Sequence, residues 1–178
     1  MKIPPVKLFF PSEDISKIAG YTRQILESGM LTLGEFTEEF EKRFSEHLHV
    51  KHAVAVSSGT AALEIALRSI DIGNNDEVIV PTNTFTATAA AVFFAGGKPV
   101  LVDVNPNTVC INVAHLEKAI TNRTKGVIVV HLGGLVCPEI DEIAKICRER
   151  NVFLIEDAAQ AHGSLHEGHA AGSFGDVG

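Results

Sequence analysis

The chain has 178 residues, 46% of them hydrophobic and 21% charged. That is enough to bury roughly two-thirds of the unfolded surface in one core, which excludes a peptide or a disordered tail. Fifteen Lys and Arg against 22 Asp and Glu leave a formal net charge of −7, the wrong balance for a protein that grips nucleic acid by neutralising phosphates.

Met1–Phe10 carries two Pro and two Lys without a sustained apolar run, so it does not read as a signal peptide. Ser12 is placed to cap a helix whose first turn holds Glu13 and Asp14. Ile15, Ile18, Ala19, Thr22, Ile25 and Leu26 then share one face, and Gly29 ends the helix. Phe36, Phe40, Phe44 and Leu48 recur every four residues in a second amphipathic helix, an aromatic stripe that reads as core or interface. These helices form a lead-in over residues 1–52, and one domain fills 53–178.

From residue 53 short β-branched runs alternate with helical stretches. The runs are Ala53–Val56, Glu77–Val80, Pro99–Val104, Gly126–His131 and Val152–Glu156; the helices are Thr60–Ile70, Phe85–Ala95, Val113–Ile120 and Pro138–Arg150. Nearly all-apolar strands alternating with helices predict an α/β fold, a mainly parallel sheet covered by helices on both faces. The longest uncharged stretch, Val78–Gly97, is broken by Pro81, Asn83 and four Thr, so no membrane span is expected and the chain reads as soluble and cytoplasmic. Three cysteines, Cys110, Cys137 and Cys147, are odd in number and form no C-x-x-C pair, so reduced structural thiols are expected.

Ligands of open parallel sheets bind outside the carboxyl ends of the strands, which directs attention to four junctions. Ser57-Ser58-Gly59-Thr60-Ala61-Ala62-Leu63 leads through small hydroxyl residues into a helix, either an anion site at a helix N-terminus or an ordinary Ser N-cap. Thr84-Phe85-Thr86-Ala87-Thr88 places one ring among small residues; taken singly Phe85 reads as core, with stacking on a planar cofactor as the other option. His131, followed by Leu132-Gly133-Gly134, reads as a hydrogen-bonded structural residue. Glu156 and Asp157 end a strand that should be buried. At least one of them should meet a cation or metal, and strand alternation sends them to opposite faces with different jobs.

Rival chemistries lack their residues. No G-x-G-x-x-G follows the first run, and neither a P-loop nor a G-x-S-x-G elbow is present. His162, His166 and His169 with Asp157 fall in a Gly- and Ala-rich stretch that reads as a mobile loop, so no metal is expected.

The ordered set Ser57–Leu63, Thr84–Thr88, Val130–Gly134 and Glu156–Gly163 resembles the DegT/DnrJ family of fold type I sugar aminotransferases, which use pyridoxal 5'-phosphate (PLP). The resemblance runs from about Gly34 to Gly178 and implies the following roles. Gly59, Thr60 and Ala61 hold the cofactor phosphate, Phe85 stacks on the pyridine ring, Asp157 pairs with the ring nitrogen, and Gln160 lies near the ring hydroxyl. A carboxylate at that nitrogen keeps it protonated, so that the ring can accept electrons. The resemblance also implies an amino-acid donor, a nucleotide-linked keto sugar as acceptor, and a homodimer. The family's Schiff-base lysine follows the segment that is Gly175–Gly178 here, and none of Lys98, Lys118, Lys125 or Lys145 matches it. The expectation is therefore an inactive N-terminal portion of the large domain, without that lysine or the small domain. The alternatives are a non-catalytic dimerisation or binding half-domain, and a PLP-dependent sugar dehydratase of the same family.

Overall fold

The computed structural model describes residues 8–178. Residues 1–7, which hold most of the Met1–Phe10 stretch judged above for a leader, lie outside the described residues.

Helix α1 (Ser12–Ser28) begins one residue earlier than anticipated. Pro11 takes the cap position and no side chain caps the helix, so Ser12 sits inside the first turn, where proline's fixed φ already presets the entry. The helix stops at Gly29, which adopts φ 71°. Helix α2 (Glu35–Leu48) follows. Neither helix buries a residue: Phe40 is 57% exposed, and Ile15, Ile18 and Leu26 are also exposed. The apolar stripes are thus not core, which leaves the interface reading. Ion pairs one turn apart, such as Arg23–Glu27 at 2.7 Å, support α1 along its polar side.

The centre of the chain is a parallel sheet of order β2-β1-β3-β4, built from β1 (Glu77–Pro81), β2 (Lys98–Val102), β3 (Thr124–Val130) and β4 (Phe153–Asp157). Alternate side chains enter two cores. Val78, Val80, Ile128, Val130 and Ile155 pack under helices α3 (Gly59–Ser69) and α4 (Thr86–Phe94). Ile79, Val127, Val129 and Leu154 pack on the other face, under α5 (Val113–Ala119) and α6 (Ile140–Arg150). Coverage of both faces is why the strands read as nearly unbroken apolar runs. Among the described residues, no helix is long and apolar enough to cross a membrane.

Two expectations fail here. Ala53–Val56 joins no ladder among the described residues; Val54 is 77% exposed, and the Ala55 N–H donates to Glu41 Oε1 at 2.7 Å instead. β-branched composition supplies the conformation of a strand but not its hydrogen-bonding neighbour. The stretch read as a mobile loop forms a small hairpin, β5 (Leu165–His166) with β6 (His169–Ala170). Its two turn residues, Glu167 and Gly168, both have positive φ (49° and 84°), the twist that favours tight hairpins.

Two ionisable groups give measurable consequences. Glu77 is buried at the start of β1, where it accepts from Thr121 Oγ1 and Arg123 Nη2, each at 2.7 Å. The Thr121 hydrogen bond first, then the Arg123 guanidinium, hold its carboxyl below the usual range. A depressed folded pKa contributes stability that is present above the unfolded value of about 4.3 and is lost as pH falls through the folded value. Urea midpoints should therefore drop more steeply below about pH 4.3 in the wild type than in Glu77→Gln. Parallel curves would refute this. Cys147 is buried on α6, and that burial, aided by the Asp176 carboxylate, pushes its thiol up to about 11. A thiol reagent near pH 8 should leave Cys147 unmodified in the folded protein and label it in urea; rapid labelling without urea would contradict the packing.

Candidate active site

Strand alternation divides Glu156 and Asp157 as the sequence indicates. Glu156 shares the face of Leu154, and Asp157 turns to the face covered by α3 and α4.

Glu156 is buried and receives four donors. Phe174 N and Gly175 N each reach Oε1 at 2.6 Å, while Gly172 N and His131 Nε2 each reach Oε2 at 2.8 Å. His131 Nδ1 accepts from Cys137 N at 3.1 Å, so the ring proton resides on Nε2 and is donated to Glu156. Backbone amides and one imidazole N–H satisfy this buried carboxylate, so of the two acids Glu156 is the one that needs no cation. His131 is fully buried and structural, as anticipated. The strap that Glu156 holds lies tight on β4. A Cβ on Gly175 would sit 2.6 Å from the Leu154 carbonyl oxygen, so only glycine fits that approach.

Asp157 is half-buried. Its Oδ2 accepts from Thr88 Oγ1 at 2.8 Å, and Thr88 in turn meets Thr84 Oγ1 at 2.7 Å. Its Oδ1 has one long contact, from Ala159 N at 3.3 Å, and so keeps capacity for another donor. No cation meets Asp157 among the described residues either.

The two helices on this face run in the same direction. Arg68, next to the last residue of α3, donates from Nη2 to the carbonyl of Phe94, the last residue of α4, at 2.7 Å. With 11 and nine residues the helices rise about 16 and 13 Å, so their N-termini come out at one level. The two helices pack against each other. That level is the strand-end edge where α4 meets Asp157. At the start of α3, Ser58 Oγ accepts from Ala61 N at 3.2 Å. Among the described residues the Gly59 and Thr60 amides have no acceptor, so two N–H groups remain for an anion and Ala61's is engaged.

Phe85 is the N-cap of α4 and is 71% exposed, which overturns the core reading. Its extended backbone (φ −67°, ψ 138°) lies outside the helix's buried stripe, which begins at Thr88. Gln160 follows β4 and accepts from Gly133 N through Oε1 at 2.8 Å; the side chain is exposed. Thr84 and Thr88 were not singled out within their motif, although their spacing of four puts two hydroxyls on one side of a turn.

The edge therefore offers free amides at one helix start, a carboxylate oxygen with spare capacity near the other, and an uncovered aromatic ring beside it. These are features of the strand-end ligand sites of open α/β proteins, here suited to a small molecule with an anionic tail and a protonated ring. Residues 12–178 match the DegT/DnrJ/EryC1/StrS aminotransferase family, and the chain belongs to it. It is 46% identical over 145 residues to a GDP-perosamine synthase of Caulobacter vibrioides, covering 82% of this chain and 39% of that protein. It is 42% identical over 154 residues to a dTDP-3-amino-3,6-dideoxy-alpha-D-galactopyranose transaminase of Aneurinibacillus thermoaerophilus, covering 86% and 42%. The PLP-form of Spr1654 from Streptococcus pneumoniae superposes with a TM-score of 0.90 at 32% identity, over 99% of this chain and 47% of that one. The chain thus spans less than half the length of each of these relatives.

Proposed function

We propose that the whole protein is a PLP-dependent aminotransferase that moves an amino group from glutamate to a keto carbon of a nucleotide-linked sugar, in the cytoplasm. Residues 53–178 would form the N-terminal part of its cofactor-binding domain. The observation that carries this reading is Asp157, a carboxylate held by Thr88 with Oδ1 still able to accept, on the same edge as the free amides of α3. The names of the relatives agree with it.

The residues fit the cofactor. The Gly59 and Thr60 amides, with Ala61 in the same turn, would hold the phosphate at the positive end of α3. Phe85, exposed at the start of α4, would cover one face of the ring. Asp157 would keep a proton on the ring nitrogen, and the exposed Gln160 amide would bond the ring hydroxyl. Bound PLP supplies an electron sink for the carbon that gains or loses the amino group. A lysine in the sequence that follows Gly178 would move the proton at that carbon.

The test is incubation of the full-length protein with PLP, L-glutamate and a nucleotide-linked keto sugar. Formation of 2-oxoglutarate and amino sugar in equal amounts is the expected result. Loss of water from the sugar without amino transfer would replace the reading with the dehydratase, and no PLP binding at all would replace it with the binding half-domain. We propose further that the protein is a homodimer, because Ile15, Ile18 and Leu26 of α1 and Phe36 and Phe40 of α2 lie exposed in the single chain. Light scattering at micromolar concentration should give twice the chain mass; a monomer would refute the dimer.

A further inference from the structure

We propose that Thr88 is a positioning residue for Asp157: its hydroxyl fixes Oδ2 so that Oδ1 is aimed at the ring nitrogen. The inference rests on the PLP reading above and goes beyond it in naming what orients the carboxylate.

Thr88 is a fully buried polar residue in the first turn of α4. A helical threonine usually returns its proton to the carbonyl four residues back. This one spends it on a carboxylate 69 residues away, at 2.8 Å. An ionised carboxylate only accepts, so the proton of the Thr88–Asp157 bond belongs to Thr88. Thr88 Oγ1 must then accept from Thr84 Oγ1, at 2.7 Å. The result is a one-way chain, Thr84 to Thr88 to Asp157, anchored on the first turn of a helix packed on the sheet.

The two oxygens of Asp157 are thereby made unequal. Oδ2 is bound to a side chain without freedom to move, while Oδ1 has only the 3.3 Å contact from Ala159 N. Charge-assisted hydrogen bonds to a ring N–H need a heavy-atom separation of about 2.7–2.9 Å and good alignment. A half-buried aspartate free to turn about its terminal bond would have to be ordered on each binding event. A hydroxyl donor to a charged group contributes about 1.5–3 kcal/mol, which as an affinity change is about 10- to 100-fold.

The discriminating measurement is a ratio of affinities in the full-length protein, for pyridoxamine phosphate and for its 1-deaza analogue, in which carbon replaces the ring nitrogen. Pyridoxamine phosphate needs no lysine linkage. The wild type is expected to prefer the pyridine, and Thr88→Val, which keeps the branched shape, to lose about 10- to 100-fold of that preference. Thr88→Ser should restore it. If Thr88→Val proves too unstable to assay, Thr84→Val removes the outer link and should reduce the preference in the same direction. Equal ratios in wild type and the valine variants would overturn the positioning role, because a merely structural defect weakens both ligands alike. A wild type that binds pyridoxamine phosphate without preferring it over the deaza analogue would overturn the pairing of Asp157 with the ring. One that binds neither would overturn the PLP reading itself.

Discussion

Glu156→Gln is expected to lower the unfolding free energy by about 2–5 kcal/mol, the cost of leaving one or two buried donors unsatisfied at about 1–3 kcal/mol each. The substitution keeps size and shape, so it tests hydrogen bonding alone. Glu156 accepts four donors, two on each oxygen. The glutamine oxygen can still serve Phe174 N and Gly175 N. Its NH2 would then confront Gly172 N–H and His131 Nε2–H, donors facing donors. Moving the His131 proton to Nδ1 does not relieve the conflict, because Nδ1 already accepts from Cys137 N. One site or the other is left unsatisfied inside the core. For a domain of this length the loss corresponds to a fall in Tm on the order of 10 °C. Thermal and urea unfolding would read it. A change below about 1 kcal/mol would mean that water or strap movement reaches Glu156, and that the four bonds do not act together.

The sheet was legible in the sequence for a physical reason: burial on both faces turns each strand into an apolar run, and β1 to β4 fall where those runs lie. Ala53–Val56 shows the limit. Two of its four residues are β-branched, against three of five in β1, yet whether a strand forms depends on a neighbour that the segment does not encode. The β5–β6 hairpin was hidden because each strand has two residues, too short for any alternation, and its turn is Glu-Gly rather than Asn-Gly. At the site, alternation correctly separated Glu156 from Asp157 without contact information. The partners were another matter. The strap donors lie 16 to 19 residues beyond Glu156, and Thr88 lies 69 residues before Asp157. Backbone amides carry no sequence signature, so the sequence could not show that three of them and one imidazole satisfy Glu156. Taken singly Phe85 reads as core, because a lone ring in a small-residue stretch gives no sign of which way the helix start faces; only the motif set as a whole assigns it to a cofactor ring.

Asp157→Asn separates fold from function most sharply, and on the proposed function it is expected to cut amino transfer by about 2–5 kcal/mol, or about 30- to 5,000-fold. The stability cost should be small, because Asp157 is half-buried and the asparagine oxygen can still accept from Thr88 Oγ1. With that oxygen engaged, the amide NH2 occupies the place of Oδ1 and points a donor at the cofactor. The site then favours a bare ring nitrogen over a protonated one and loses its electron-withdrawing partner at the reacting carbon. Rates should be measured on the full-length protein at saturating PLP, so that weaker cofactor binding does not masquerade as slower chemistry. Unfolding curves within about 1 kcal/mol of wild type would show that the loss is chemical rather than structural. A variant that kept its rate within about threefold would place the ring nitrogen away from Asp157, since a charged partner lost at that atom cannot cost so little.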